Sequence, residues 1–123
     1  MQIPLIYLCS PYTDANADVR QQRFEGACRA AAMLIRQGKT VFSPIAHSHV
    51  ICQYGVPLDW RFWQQHDLRY LAACDEVVVL KLDGWERSVG VQAEIAAARA
   101  LGKPVSFLSV GDRAAESAAQ PQG

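Results

Sequence analysis

One carboxylate lies on the apolar face of a predicted helix in the last third of the sequence. Steps of about 100° per residue put Glu94 within an apolar stripe formed by Val91, Ile95, Ala98 and Leu101. A carboxylate on the buried side of a helix is costly unless it is paired or used in chemistry. Glu94 is therefore the first candidate for a catalytic residue.

A second carboxylate lies on the apolar face of an earlier helix, predicted over 59–74. Asp67 falls in a narrow arc of this helix with Trp60, Trp63, Tyr70, Leu71 and Cys74. A lone aspartate in this position would be explained by a loop cap or by a pair with an arginine. Because two helices each direct one carboxylate inward, the pair Glu94 and Asp67 favours a catalytic interpretation.

Tyr7 and Ser88 each allow two interpretations. Tyr7 belongs to a strand predicted to be buried on both faces, so its hydroxyl needs a partner, either a catalytic carboxylate or the backbone. Ser88 opens the helix of Glu94, where it can cap the helix, contact an anion, or do both. Gly90 follows it, but one glycine is weak support for a phosphate loop, and the sequence has no Walker or G-x-G-x-x-G pattern.

Alternating strands and helices must position these side chains. The patterns predict strands over 3–9, 40–44, 75–82 and 105–110, helices over 19–37, 59–74 and 88–101, and an irregular segment over 45–58 with one helical turn near Val50. Such alternation predicts an α/β fold, a doubly wound three-layer sandwich with a mostly parallel sheet of four to five strands, flavodoxin-like or Rossmann-like.

Ligands of such sheets bind beyond the carboxyl ends of the strands. Three loops, over 10–13, 43–49 and 83–90, are predicted to meet there. They supply the candidate substrate-binding residues, which are Ser10, Pro11, Tyr12, His47, Asp83, Ser88 and Gly90. His47 and His49 lie only two positions apart, and a metal site would need further ligands. We therefore expect substrate-contact or surface histidines and no metal.

Length, composition and net charge limit the classes of function that the chain can have. The chain has 123 residues and a formal net charge of zero, which predicts one domain over 1–110 and a frayed tail over 111–123. Zero net charge without basic runs argues against a nucleic acid polymer as partner. No apolar run approaches the roughly 20 residues of a membrane span. Four scattered cysteines and no signal-peptide pattern predict a cytoplasmic protein.

Three short landmarks, taken in order, resemble the nucleoside 2-deoxyribosyltransferase-like superfamily over about residues 3–108. They are Ile6-Tyr7-Leu8 with Ser10-Pro11-Tyr12, then His66-Asp67-Leu68 with 74–78, and finally 88–95 leading to 102–105. The resemblance implies cleavage of the N-glycosidic bond of a 2'-deoxynucleoside or its 5'-monophosphate. Glu94 matches the nucleophile of that superfamily, Tyr7 the residue that orients it, and Asp67 the aspartate that handles the proton of the leaving base.

Ser88 distinguishes two branches of this superfamily. In the deoxyribosyltransferases, the motif that begins six residues before the glutamate resembles Asp-x-Gly. In the monophosphate N-glycosidases it resembles Ser-x-Gly. Ser88 therefore favours a 5'-monophosphate substrate and hydrolysis. Gln92 and Ala96 depart from the glycines that many relatives have. The resemblance also implies a homo-oligomer and no cofactor. Base exchange by a deoxyribosyltransferase, and nucleotide binding without turnover, stay open as alternatives.

Overall fold

The structure is a computed structural model that describes residues 2–109. Within them, four strands form one parallel sheet in the order β2-β1-β3-β4: β1 (Leu5–Cys9), β2 (Thr40–Phe42), β3 (Glu76–Lys81) and β4 (Val105–Ser109). The predicted tail over 111–123 lies outside the described residues.

Helices cover both faces of this sheet. They are α1 (Ala17–Arg36), α2 (Pro44–Ile51), α3 (Trp60–Ala73) and α4 (Val89–Ala100), with short 3-10 turns at Cys52–Tyr54 and Trp85–Arg87. α1 packs on one face, and α3 and α4 pack side by side on the other. The predicted doubly wound α/β sandwich with a parallel sheet is thus confirmed.

Alternation along β1 divides its side chains between the two layers. Ile6 and Leu8 pack with α1, while Tyr7 and Cys9 point to the layer of α3 and α4. Successive strand residues face opposite sides of a sheet, so residues two apart share a side. Tyr7 and Cys9 are therefore presented together to the inner faces of α3 and α4.

The segment after β2 is a helix, so its prediction as irregular was wrong. Ser43 is the N-cap of α2, and its Oγ accepts a hydrogen bond from the Ala46 amide at 3.1 Å. Pro44 occupies the first turn, where a missing N–H costs nothing. The sequence Ser-Pro therefore ends a strand and begins a helix at the same point.

Leu8 tests the core on the α1 side. Leu8→Ala should lower the free energy of unfolding by about 2–5 kcal/mol, because the side chain is 0% exposed and its removal leaves a cavity. Urea denaturation measures the loss. Ile35→Ala is the control, since Ile35 is 54% exposed on α1 and should change stability by about 0.5 kcal/mol or less. Equal losses for the two variants would contradict this placement of the core.

Candidate active site

The Glu94 carboxylate is buried where α4 faces β1. Only 4% of the residue is exposed. The Tyr7 hydroxyl donates a hydrogen bond to Oε2, and the Cys9 thiol donates one to Oε1 across 3.0 Å. Both carboxylate oxygens thus have a partner, which offsets the cost of burying the group. The sequence allowed either a carboxylate or the backbone as the partner of the Tyr7 hydroxyl. In the structure the partner is the Glu94 carboxylate.

Burial dominates the electrostatics of Glu94. It raises the pKa of Glu94 from 4.5 to about 7, while the hydrogen bonds from Tyr7 and Cys9 lower it and the charge of Asp67 raises it. Burial and the nearby Glu94 charge also raise the pKa of Tyr7 and of Cys9 well above their ordinary values. Tyr7 and Cys9 consequently stay protonated and remain donors over the whole neutral range.

Asp67 supplies the second carboxyl group from α3. It is 7% exposed, and burial raises its pKa. His66 lies beside it, with Nδ1 3.0 Å from Asp67 Oδ1, and this contact lowers the pKa of Asp67 against the effect of burial. Two carboxyl groups in a partly desolvated setting, each with its own donors, are suited to divide acid and nucleophilic roles.

One cavity of about 450 Å³ contains both carboxyl groups. Its described lining comes from the loop after β1, from α2 and the segment that follows it, from the first half of α3, and from the start of α4. The aromatic members are Tyr12, His49, Trp60 and Trp63, and the hydroxyl and thiol members are Ser10, Thr13, Ser48, Cys52 and Ser88. Aromatic walls around a few polar groups are typical of a site for a small planar ligand.

The start of α4 forms part of this lining. Ser88 is the N-cap, and its Oγ accepts a hydrogen bond from the Val91 amide at 3.2 Å. A Cβ on Gly90 would lie 3.2 Å from the Trp60 ring, so glycine permits the close approach of α3 and α4 here. Gln92 is exposed and lies outside the cavity, so it does not crowd this helix end.

Two arginines line the cavity from different elements, Arg87 directly before Ser88 and Arg61 in the first turn of α3. Neither arginine forms an ion pair with any residue within 2–109. Among the described lining residues, Asp59 is the one carboxylate besides Glu94 and Asp67. The cavity therefore combines a carboxylate pair with two guanidinium groups that have no anionic partner in the described part of the chain.

The predicted binding residues divide into two groups. Ser10, Tyr12, Ser88 and Gly90 line the cavity, and the Oγ of Ser10 is buried there without a hydrogen-bond partner in the structure. The Tyr12 hydroxyl forms a 2.7 Å hydrogen bond with His49 Nδ1. Pro11, His47 and Asp83 do not line the cavity.

The two histidines of α2 lie on different sides of the helix. On α2, two positions correspond to a rotation of about 200°, so His47 and His49 point to nearly opposite sides. His49 lines the cavity and stacks on Phe24 with ring centroids 4.2 Å apart, whereas His47 is exposed beside Phe42. Asp83 is also exposed, and its carbonyl accepts a hydrogen bond from Arg23 at 3.2 Å.

Cys9, Arg61 and Arg87 were missed by the sequence analysis. Cys9 was considered only as one of four scattered cysteines, although its position two after Tyr7 on a strand placed it on the same face. The arginines gave no local signal, because solvated and cavity-lining arginines look alike in a sequence. Only the packing of α3 against α4 identifies them.

The family of this chain follows from a family model. The model for Domain of unknown function (DUF1937) matches residues 4–110, so the chain belongs to that family. No curated protein matches the chain.

A solved structure resembles this one over most of its length. It is a 2-deoxyribosyltransferase from the psychrotolerant bacterium Bacillus psychrosaccharolyticus, described as a biocatalyst for the synthesis of nucleosides. The TM-score is 0.62 at 28% sequence identity, and the match covers 85% of this chain and 72% of that chain. The match supports the 2-deoxyribosyltransferase-like superfamily.

Within residues 2–109, none of the helices has the length and apolar character needed to cross a membrane.

The raised pKa of Glu94 makes stability depend on pH. Between pH 4.5 and about 7 the unfolded chain releases the Glu94 proton and the folded chain keeps it, so this stability is present at low pH and is lost as pH rises through 7. Glu94→Gln removes the penalty. Its free energy of unfolding relative to wild type should therefore improve by about 3 kcal/mol between pH 4 and pH 8.

Urea denaturation at several pH values measures this difference. Glu86→Gln, which neutralises an exposed glutamate on the preceding loop, is the matched control and should change stability little at any pH. A constant difference between wild type and Glu94→Gln over this range would contradict the burial of an ionisable Glu94.

Proposed function

We propose that this protein cleaves the N-glycosidic bond of a (2'-deoxy)nucleoside 5'-monophosphate through a covalent glycosyl-enzyme intermediate on Glu94. The observation that carries the proposal is the buried Glu94 carboxylate, oriented by two neutral donors in a cavity that also holds Asp67. Similarity to a 2-deoxyribosyltransferase supports glycosyl-transfer chemistry.

In the first step, a Glu94 carboxylate oxygen attacks the anomeric carbon of the sugar. The bond between that carbon and the base nitrogen breaks, and its electron pair moves to the base. The base takes a proton from the Asp67 carboxyl group, so the base leaves in a neutral form. The sugar is then held on Glu94 as an ester, as in retaining glycosidases.

In the second step, water attacks the same carbon. The ester bond breaks, its electron pair returns to Glu94, and the water gives a proton to Asp67. Both carboxyl groups are thereby restored, and the products are the free base and the sugar phosphate. If a second base attacks in place of water, the same site exchanges bases.

A single proton on the carboxyl pair, carried by Asp67, suits this sequence of steps. The charge of Asp67 raises the pKa of Glu94. When Asp67 carries its proton, that repulsion disappears and Glu94 ionises more readily. The state with a protonated Asp67 and an ionised Glu94 is the state that the first step needs. Tyr7 and Cys9 favour it further, since they donate to the charged form of Glu94.

The start of α4 supports a phosphate on the substrate. A helix N-terminus offers backbone amides and a positive dipole end to an anion. Ser88 caps this end, and Arg61 and Arg87 line the same cavity without carboxylate partners among residues 2–109. A neutral nucleoside would leave both guanidinium groups without an anion, whereas a 5'-monophosphate would supply one.

A screen for released base tests the proposed function. Wild-type protein incubated with a panel of deoxynucleoside 5'-monophosphates should release a free base in the absence of any added base, as detected by mass spectrometry. Glu94→Gln should reduce this release by a factor on the order of 10³ or more, because the nucleophile is lost. Turnover should rise with pH as Glu94 ionises and fall again at higher pH as Asp67 loses the proton that the base takes, because the first step needs both groups in those states.

Two outcomes would favour the alternatives. Products that form only when a second base is added would establish a deoxyribosyltransferase. Binding of monophosphates without cleavage of any of them would establish a nucleotide-binding module.

The two cavity arginines test the preference for a monophosphate. Arg87→Ala and Arg61→Ala should each raise KM for the monophosphate on the order of tenfold, because a charge-assisted hydrogen bond is lost. KM for the corresponding nucleoside should change little. Arg99→Ala is the control, since Arg99 is exposed on α4 outside the cavity. Equal effects on nucleoside and monophosphate would overturn the phosphate assignment.

A further inference from the structure

The thiol of Cys9 has two acceptors within reach, and their distances decide between them. Glu94 Oε1 is 3.0 Å from Sγ, while the carbonyl oxygen of Val91 is 4.0 Å away. Hydrogen bonds weaken steeply with distance. The thiol proton is therefore directed at Glu94, on the oxygen that Tyr7 does not contact.

We propose that Cys9 is a positioning residue that fixes the orientation of the Glu94 carboxylate for attack on the sugar. The inference rests on the proposed function. It assigns to a buried thiol a task in the reaction that neither composition nor spacing of the cysteines suggests.

The need for a second donor follows from the flexibility of a glutamate. The last torsion of the Glu side chain is broad, so the carboxylate plane turns at little cost. Tyr7 holds Oε2 alone and leaves Oε1 free to move about that contact. A donor on each oxygen fixes the plane of the Glu94 carboxylate. Tyr7 and Cys9 supply these two donors from the same face of β1.

Cys9 acts through Glu94 and not on the substrate. Its side chain is 0% exposed and is absent from the cavity lining. Burial, followed by the charge of Glu94, raises the pKa of the thiol well above its ordinary value. Cys9 therefore remains a neutral donor, which excludes the role of a thiolate nucleophile.

The choice of a thiol has a chemical consequence. A thiol is a weaker donor than a hydroxyl, so it orients the carboxylate while withdrawing less of its charge. Two strong donors would hold the orientation equally well but would lower the basicity of the nucleophile further. Loss of the donor raises the pKa of Glu94, and a serine at this position lowers it, because donors favour the charged form.

The test compares pH profiles of kcat/KM for wild type, Cys9→Ala, Cys9→Ser and Cys74→Ala with a substrate that wild type cleaves. Cys74 is the matched control, because it is 2% exposed in the same core cluster and makes no contact with Glu94. In Cys9→Ala the rising limb of the profile at low pH should move to higher pH. At pH values below the midpoint of that limb, kcat/KM should be about three- to tenfold lower than in wild type.

The KM of Cys9→Ala and the profiles of the two remaining variants give further expected results. KM should stay near the wild-type value in Cys9→Ala, because Cys9 does not touch the substrate. Cys9→Ser should return the rising limb to the wild-type pH or below it, and Cys74→Ala should overlap the wild-type profile. Profiles of Cys9→Ala and Cys74→Ala that coincide would overturn the inference, since the loss would then be one of packing alone.

A measurement without turnover separates this inference from the proposed function. Infrared titration of the Glu94 carboxyl band, assigned by its loss in Glu94→Gln, reports the pKa of Glu94 directly. That pKa should rise in Cys9→Ala and not in Cys74→Ala, whether or not any nucleotide is cleaved. An unchanged Glu94 pKa in Cys9→Ala refutes the role of Cys9, whereas absence of base release by wild type refutes the proposed function.

Discussion

The burial of the Glu94 carboxylate sets a requirement that the elements around it must meet. A charge removed from water needs donors on both oxygens, and the surrounding elements are placed to provide them. β1 lies inside the sheet, where alternation presents Tyr7 and Cys9 to the same layer. α4 returns over that layer and brings Glu94 between them. The interior strand β1 and the buried Glu94 carboxylate are thus joined by two hydrogen bonds.

The burial of Glu94 lowers the stability of the ionised protein and, in the proposed reaction, raises the reactivity of the carboxylate. Burial that raises the pKa of Glu94 to about 7 makes the ionised form costly in the free protein. In the proposed reaction, the same burial leaves the carboxylate less hydrated and so more reactive toward the anomeric carbon. Asp67 shares the cavity and the desolvation, but it has His66 as an additional partner near solvent. The two carboxyl groups differ in surroundings, as the separate roles proposed for them require.

Much of the fold and the centre of the site could be predicted from the sequence. The apolar runs and helical periodicities predicted the sandwich, and polar residues on apolar faces identified Glu94, Asp67 and Tyr7 as unusual. The binding residues were less predictable. His47 was named as a binding residue and His49 was not. With the segment over 45–58 treated as irregular, no helical face separated the two histidines, whereas in α2 only His49 lines the cavity.

Local sequence patterns decide which segments form strands and helices, and which face of each segment is apolar. These depend on neighbours within one or two turns of the chain. The tertiary structure alone decided which atoms meet. Cys9 and Glu94 are 85 positions apart, and Tyr7 and Glu94 are 87 apart, so their hydrogen bonds depend on strand order and on how α4 packs on β1. No local pattern encodes such a distance, because it is set by the packing of all layers at once.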